Sequence, residues 1–195
     1  MTIYLTADPH LDHRGILRHT DRPYPDLESM NEDIRSIWNG MISKRDIVYI
    51  NGDFAWKNHR YWINALNGRK ILIRGNHDKM DQLSLAQFAE VHDMLLRRID
   101  GQHVFMQHYC CQTWPGPFGR TWHAYGHSHG RIVEHDDVPS GSVGWDVWGM
   151  PVPWEVFKAK MEAKKKPKLH SKEELDERVR KLRAENQVIL SEFGL

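Results

Sequence analysis

The sequence predicts an α/β fold, and three observations lead there. Short apolar runs rich in β-branched and aromatic residues recur through the first two thirds of the chain, a stripe of helical period separates the first two of them, and polar residues able to bind metal follow the runs directly. With 195 residues and 40% hydrophobic content there is apolar material for one sizeable core, not for a second full domain.

Strands are predicted at 3–6, 47–50, 71–73, 104–106 and 122–125. Between the first two, Leu27, Met30, Ile34, Ile37, Trp38, Met41 and Ile42 step by three and four residues, which sets them on one face of a linking helix. Weaker helical patterns at 59–66 and 82–90 continue the alternation. Taken alone, that alternation reads as a single sheet, with the polar residues gathered beyond the carboxyl ends of its strands.

After Trp145 the composition changes. A short helix is expected at 154–161, followed by the basic, proline-broken run Lys164, Lys165, Lys166, Pro167, Lys168. The main domain is therefore placed at 1–160, and 161–195 is read as a linker and a C-terminal amphipathic helix. Ser171 and Glu174 have the spacing of a capping box that opens this helix, and Gly194 closes it. Its residues Leu175, Val179, Leu182, Asn186, Ile189 and Phe193 form a heptad seam with one polar interruption. Fewer than three heptads favour docking on the parent domain, with pairing to a second copy in a homodimer as the alternative.

Lysine and arginine number 27 against 26 acidic residues, so no global field marks a nucleic-acid or membrane binder. The opening residues lack the pattern of a secretion signal, no run of 18 apolar residues occurs, and a soluble cytoplasmic protein is expected. Cys110 and Cys111 are adjacent, with Cα atoms about 3.8 Å apart, which is below the usual disulfide range of about 4.4 to 6.8 Å. They are read as small hydrophobes of a reducing compartment.

Thirteen histidines ask for an explanation, because imidazole is the commonest metal ligand. Asp8 and His10, just past the first strand, offer one hard oxygen and one borderline nitrogen from a single turn. Gly52 and Asp53 put a carboxylate, able to bridge two cations, behind a glycine. Gly75, Asn76, His77 and Asp78 pack a neutral oxygen ligand, an imidazole and a carboxylate where a plain turn needs only Gly-Asn. His108 follows the fourth strand, and His127 and His129 follow the fifth, one residue apart, pointing to one side.

This order of motifs, Asp-x-His, Gly-Asp, Gly-Asn-His-Asp, a lone His and Gly-His-x-His across residues 8 to 129, resembles the calcineurin-like metallophosphoesterase superfamily. The flanking strings HRGILRHTDRPY, INGDFAW and SVGWDVWG are similar to a small bacterial and phage-type subgroup and extend the likeness to roughly residues 2 to 158. The C-terminal helix lies outside it. The resemblance implies a four-layer α/β/β/α sandwich of two mixed β-sheets flanked by helices, in place of the single sheet. It also implies two divalent ions (manganese favoured over iron, zinc or nickel). Asp8, His10, Asp53 and His129 would hold one, and Asp53, Asn76, His108 and His127 the other. His77 resembles the family's leaving-group acid, with Asp78 beside it to orient the ring.

The expected activity is hydrolysis of a phosphodiester or phosphomonoester by hydroxide shared between the ions. His13, Arg22, Arg120 and the Pro/Gly-rich loop 114–120 are candidates for substrate contact, and Asp146 for hydrogen bonding to the far side of a ligand histidine. A nuclease is the rival reading, although near-neutral charge does not favour nucleic acid; a binding scaffold without turnover is the remaining one.

Overall fold

The computed structural model describes residues 1–116, 120–164 and 171–192. Its strands are β1 (Ile3–Thr6), β2 (Ile47–Ile50), β3 (Arg69–Ile73), β4 (Glu90–His92), β5 (Leu95–Ile99), β6 (Gln102–Met106), β7 (Trp122–Tyr125), β8 (Ser140–Ser142) and β9 (Val152–Pro153). The helices are α1 (Ile16–His19), α2 (Leu27–Met41), α3 (His59–Ala65), α4 (Gln82–Leu85), α5 (Trp145–Trp148), α6 (Trp154–Glu162) and α7 (Lys172–Glu192).

The strands form two mixed sheets rather than one. A five-stranded sheet runs β4-β3-β2-β1-β9, parallel except for β9, and a four-stranded sheet runs β5-β6-β7-β8, parallel except for β5. Side chains on a strand alternate between faces, so the first sheet, buried on both, feeds two cores. Tyr4, Val48, Ile50 and Leu72 point to the helical side, against Met30, Ile34 and Trp38 of α2. Leu5, Tyr49, Ile71 and Ile73 point the other way, against Val104, Met106 and Ala124 of the second sheet. The two-sheet arrangement flanked by helices is thus the one the family resemblance implies.

Helix α2 shows how sequence becomes packing. The Asp26 side chain accepts the Ser29 N–H at 2.8 Å and caps the first turn. Met30, Ile34 and Trp38, four residues apart, are fully buried, and each such side chain stabilises the fold by roughly 1.5–3 kcal/mol over its exposed state. Helix α6 likewise sends Trp154, Phe157 and Met161 into the core between the sheets.

Three expectations need correction. The helix expected at 82–90 ends at Leu85, because the Ala89 N–H bonds to the Lys70 carbonyl at 2.8 Å and draws the chain into the first sheet as β4. Strands β4, β5, β8 and β9 were not expected. The seam of α7 does not dock at its described positions, since Val179 and Leu182 are 44% and 49% exposed. The side chains of Leu175 and Ile189, together with Phe193, Gly194 and the linker residues Lys165, Lys166, Pro167 and Lys168, lie outside the described residues. The capping box forms, with the Ser171 N–H bonding to the Glu174 carboxylate at 2.8 Å and the Glu174 N–H to the Ser171 hydroxyl at 3.1 Å. Among the described residues both cysteines are free, and no helix is long and apolar enough to cross a membrane.

Candidate metal centre

The polar motifs lie just beyond the carboxyl ends of β1, β2 and β3 in one sheet and of β6 and β7 in the other, so both sheets supply the site. Backbone geometry there is unusual. Asp8, His10, Asp12, Asp53, His127 and His129 all have φ between 49° and 64°, a left-handed conformation costing a non-glycine residue roughly 1–2 kcal/mol. Its cost is offset by bonds that tie neighbouring loops together, among them Asp8 N–H to Gly52 carbonyl at 3.0 Å, His10 N–H to Asp53 carbonyl at 3.0 Å and Gly126 N–H to His108 carbonyl at 2.9 Å. Gly52 is required as glycine: its φ is 90°, and a Cβ there would lie 2.3 Å from Nδ1 of His108.

Six of the seven expected ligands fall into two groups whose donor atoms converge, Asp8 with His10 and His129, and Asp53 with His108 and His127. The seventh, Asn76, joins the second group, its Oδ1 lying 3.0 Å from Nε2 of His108. That same Nε2 is 3.1 Å from Nδ1 of His127 and 3.4 Å from Oδ2 of Asp53. Asp53 Oδ2 is also 3.4 Å from Nε2 of His10, so one carboxylate oxygen of the second group stands equally far from a histidine of each group.

These atoms have the chemistry of a cation site. His108 Nδ1 lies 2.8 Å from the Asn51 carbonyl and His129 Nδ1 lies 2.7 Å from Asp146 Oδ2. Donating there commits the N–H of each ring and leaves each Nε2 lone pair facing inwards. His10 Nε2 is buried with no hydrogen-bond partner, a costly state that a cation would relieve. Ionisation of the metal-free site carries the same signature. Burial raises Asp8 to about 7 and lowers His10 to about 2. Burial alone would lower His108, yet the Asp53 carboxylate outweighs it and holds His108 at about 8, so that a proton there meets the demand for positive charge. Asp53, which burial would raise, is brought down to about 2 by His108.

The remaining candidates divide. His77 is half-buried beside the first group, its ring 5.5 Å from that of His10, while its backbone N–H bonds to Asp53 Oδ1 at 2.9 Å. His13 lies over His10, with its Nδ1 3.1 Å from Nδ1 of His10. Asp146, besides meeting His129, is clamped by Arg22 through two bonds of 2.8 Å. Burial would raise this carboxyl, but His129 and Arg22 hold it well below the usual range.

Three expectations are not met. Asp78 does not orient His77: its carboxylate accepts the backbone N–H groups of Asp53 and Gly75 at 2.8 Å and of Phe54 at 2.9 Å, and so ties the loops after β2 and β3 together. Arg22 is not free for substrate. It is buried, and its guanidinium also donates to the carbonyls of Pro9 and Asp8 at 2.8 and 2.6 Å, which makes it a strut beneath the ligand loop. Arg120 sits before the amino end of β7, its carbonyl accepting from Gln102 at 2.6 Å, at the end of the second sheet opposite the ligands. Of the loop 114–120, residues 117–119 lie outside the described residues.

Two exposed aromatic side chains at the site were not singled out. Trp56 stacks on His13 at 4.4 Å and lies 5.2 Å from His77, and Tyr109 packs against His108 and His127 at 5.0 and 4.6 Å. Tyr109 directly follows His108, and Trp56 closes the string INGDFAW three residues after Asp53, which was the available signal.

A nest of carboxylates and imidazoles at the strand ends of a two-sheet α/β sandwich defines a candidate metal-binding site, and comparison with known proteins narrows its class. The family model described as calcineurin-like phosphoesterase matches residues 1–189, and the chain belongs to that family. The match runs on into α7, past the span the motifs had suggested. An uncharacterized protein of Methanocaldococcus jannaschii is 30% identical over 138 residues, covering 68% of this chain and 72% of its own length. The gene 66 protein of Mycobacterium phage D29 is 31% identical over 83 residues, 40% of each chain. A solved protein of unknown function from Aquifex aeolicus shares the fold, with a TM-score of 0.64 at 19% identity over 81% of this chain and 98% of its own.

Proposed function

We propose that this chain is a dinuclear metal-dependent phosphoesterase that hydrolyses a phosphodiester or phosphomonoester. The observation that carries the reading is Asp53 Oδ2, 3.4 Å from Nε2 of both His10 and His108, in the position of a bridge between two ligand groups. Asp8, His10, Asp53 and His129 would hold one divalent ion, and Asp53, Asn76, His108 and His127 the other. Nitrogen and oxygen donors of this mixture suit manganese, which we favour, and also iron, zinc and nickel. Bound there, such ions supply neutralisation of phosphoryl charge and acidification of water towards neutral pH.

The chain's own groups do the rest. The carbonyl of Asn51 and the carboxylate of Asp146 hold His108 and His129 with their lone pairs inwards. His77, half-buried at the rim, is the proton donor to the departing oxygen, and Trp56 beside it walls the side on which the leaving group emerges. A substrate ester is the partner we infer, acted on in the cytoplasm.

The direct test combines metal analysis with turnover of a chromogenic phosphodiester and a phosphomonoester in added manganese. We expect two equivalents of divalent ion and hydrolysis of at least one ester, with both ions and turnover lost in Asp53→Asn. A purified chain that takes up no divalent ion, or an Asp53→Asn variant with full activity, would refute the proposal. In His77→Ala both ions should remain, while turnover of esters with poor leaving groups falls by roughly 10²- to 10⁴-fold and that of nitrophenyl esters changes little. Equal losses on the two substrate types would remove His77 from the acid role.

A further inference from the structure

Each ligand histidine needs its second nitrogen satisfied, since the bond made there decides which tautomer the ring adopts and where its lone pair points. His108 meets a backbone carbonyl and His129 a carboxylate, both obligate acceptors. His10 meets neither. Its Nδ1 faces Nδ1 of His13 at 3.1 Å, and of two facing imidazole nitrogens one must donate and the other accept.

The direction of that bond follows from the other end of the His10 ring. Nε2 of His10 is buried, without a hydrogen-bond partner, and turned towards the Asp53 oxygen shared by the two ligand groups. A proton on it would point at that carboxylate oxygen, 3.4 Å away, and leave the ring no lone pair for an ion. A lone pair there serves as a ligand, and the proton must then sit on Nδ1 and be donated to His13. We propose that His13 is a positioning residue, the neutral imidazole acceptor that fixes the tautomer and orientation of His10 for the ion held by Asp8, His10, Asp53 and His129. This rests on the dinuclear reading given above.

The local fold is arranged to keep His13 in place. Left-handed turns at His10 and Asp12 bring the chain back over itself. Asp12 is pinned by Asn31, Asn58 and Trp62, whose side chains donate to its carboxylate at 2.7 to 2.8 Å. The His13 ring lies flat on Trp56, 4.4 Å away at 9°, and its backbone N–H bonds to the His10 carbonyl at 3.1 Å. An imidazole in this role replaces the carbonyl that serves His108 and the carboxylate that serves His129, and it leaves the first ion dependent on a side chain that is half exposed.

Two variants of the full chain separate the acceptor from the ring. His13→Asn keeps an acceptor, Oδ1, at the position of Nδ1 but loses the stack on Trp56. His13→Phe keeps the stack and loses the acceptor. The measurement is manganese affinity, by competition with a chelator, in parallel with KM and kcat. Wild type should bind two equivalents. In His13→Phe one of the two should weaken by roughly 10- to 100-fold with the other unchanged, and His13→Asn should retain both near wild-type affinity. If His13→Phe binds both ions as tightly as wild type, or changes KM alone, the positioning role is wrong while the dinuclear centre stands. His13→Asn as weak as His13→Phe would also overturn it. A wild-type chain that binds no manganese would remove both readings.

Discussion

Gly75 has no room for a side chain. A Cβ at this position would lie 2.3 Å from Oδ1 and 2.7 Å from the backbone nitrogen of Asp53, so any other residue pushes the Asp53 carboxylate out of place. Gly75→Ala should therefore fold yet lose turnover by on the order of 10²-fold, the effect expected of a misplacement of about 1 Å in a reacting constellation. Divalent-ion stoichiometry and kcat measured together check this, and unchanged values for both would show that the loop relaxes. The same loop shows what could be read at this scale. The candidate ligands stood out because a turn alone does not ask for an imidazole and a carboxylate beside Gly-Asn. The role of Asp78 did not, because adjacency to His77 in sequence says nothing of direction: the chain turns, and the carboxylate faces the N–H groups of Asp53, Phe54 and Gly75 instead.

Strand β7 carries a second buried imidazole with a different task. His123 is fully buried on the outer face of the second sheet, its Nδ1 3.2 Å from the Phe105 carbonyl, while Nε2 accepts the Cys111 N–H at 3.2 Å. It thereby fastens the segment after β6 to the sheet. Burial lowers its pKa from 6.5 to about 4. Between these values the unfolded chain binds more protons than the folded one, so the stability supplied by the neutral ring is complete above about 6.5 and is lost as pH falls through about 4. At about 1.4 kcal/mol per unit the full loss is on the order of 3 kcal/mol. In His123→Gln, metal-free, the fall in unfolding free energy between pH 7 and pH 4 should be smaller than in wild type by up to that amount. Parallel curves would exclude the assignment. At the scale of elements, β1, β2 and β7 were legible to the residue, since each is an apolar, β-branched or aromatic run that buries both faces. The strands that escaped notice lack such a run: β8 is Ser-Gly-Ser, β9 contains a proline, and β5 is interrupted by Arg97 and Arg98. Their strand character comes from pairing with neighbours rather than from propensity.

For the whole molecule, convergence of the candidate ligands was readable from the chain while the partition into two sheets was not, because period-two burial gives each strand its two faces and not its neighbours. The last helix remains to be placed. Every candidate ligand lies between residues 8 and 129, whereas α7 begins at Lys172 and leaves Val179 and Leu182 about half exposed. Most of a helix's stability in a protein comes from packing its apolar face, and at the described positions of α7 the parent domain does not cover Val179 and Leu182. A second copy, offering the same heptad seam, can cover them in the manner of a two-stranded coil, with Asn186 as the polar interruption that fixes register. We therefore expect the full chain to associate reversibly as concentration rises, and a chain ending at residue 164 to be monomeric, with unchanged metal content and unchanged kcat for small chromogenic esters. Sedimentation equilibrium of the two forms decides the matter. Equal, monomeric masses would rule out pairing through α7, and loss of metal from the shorter chain would show that the helix supports the centre directly.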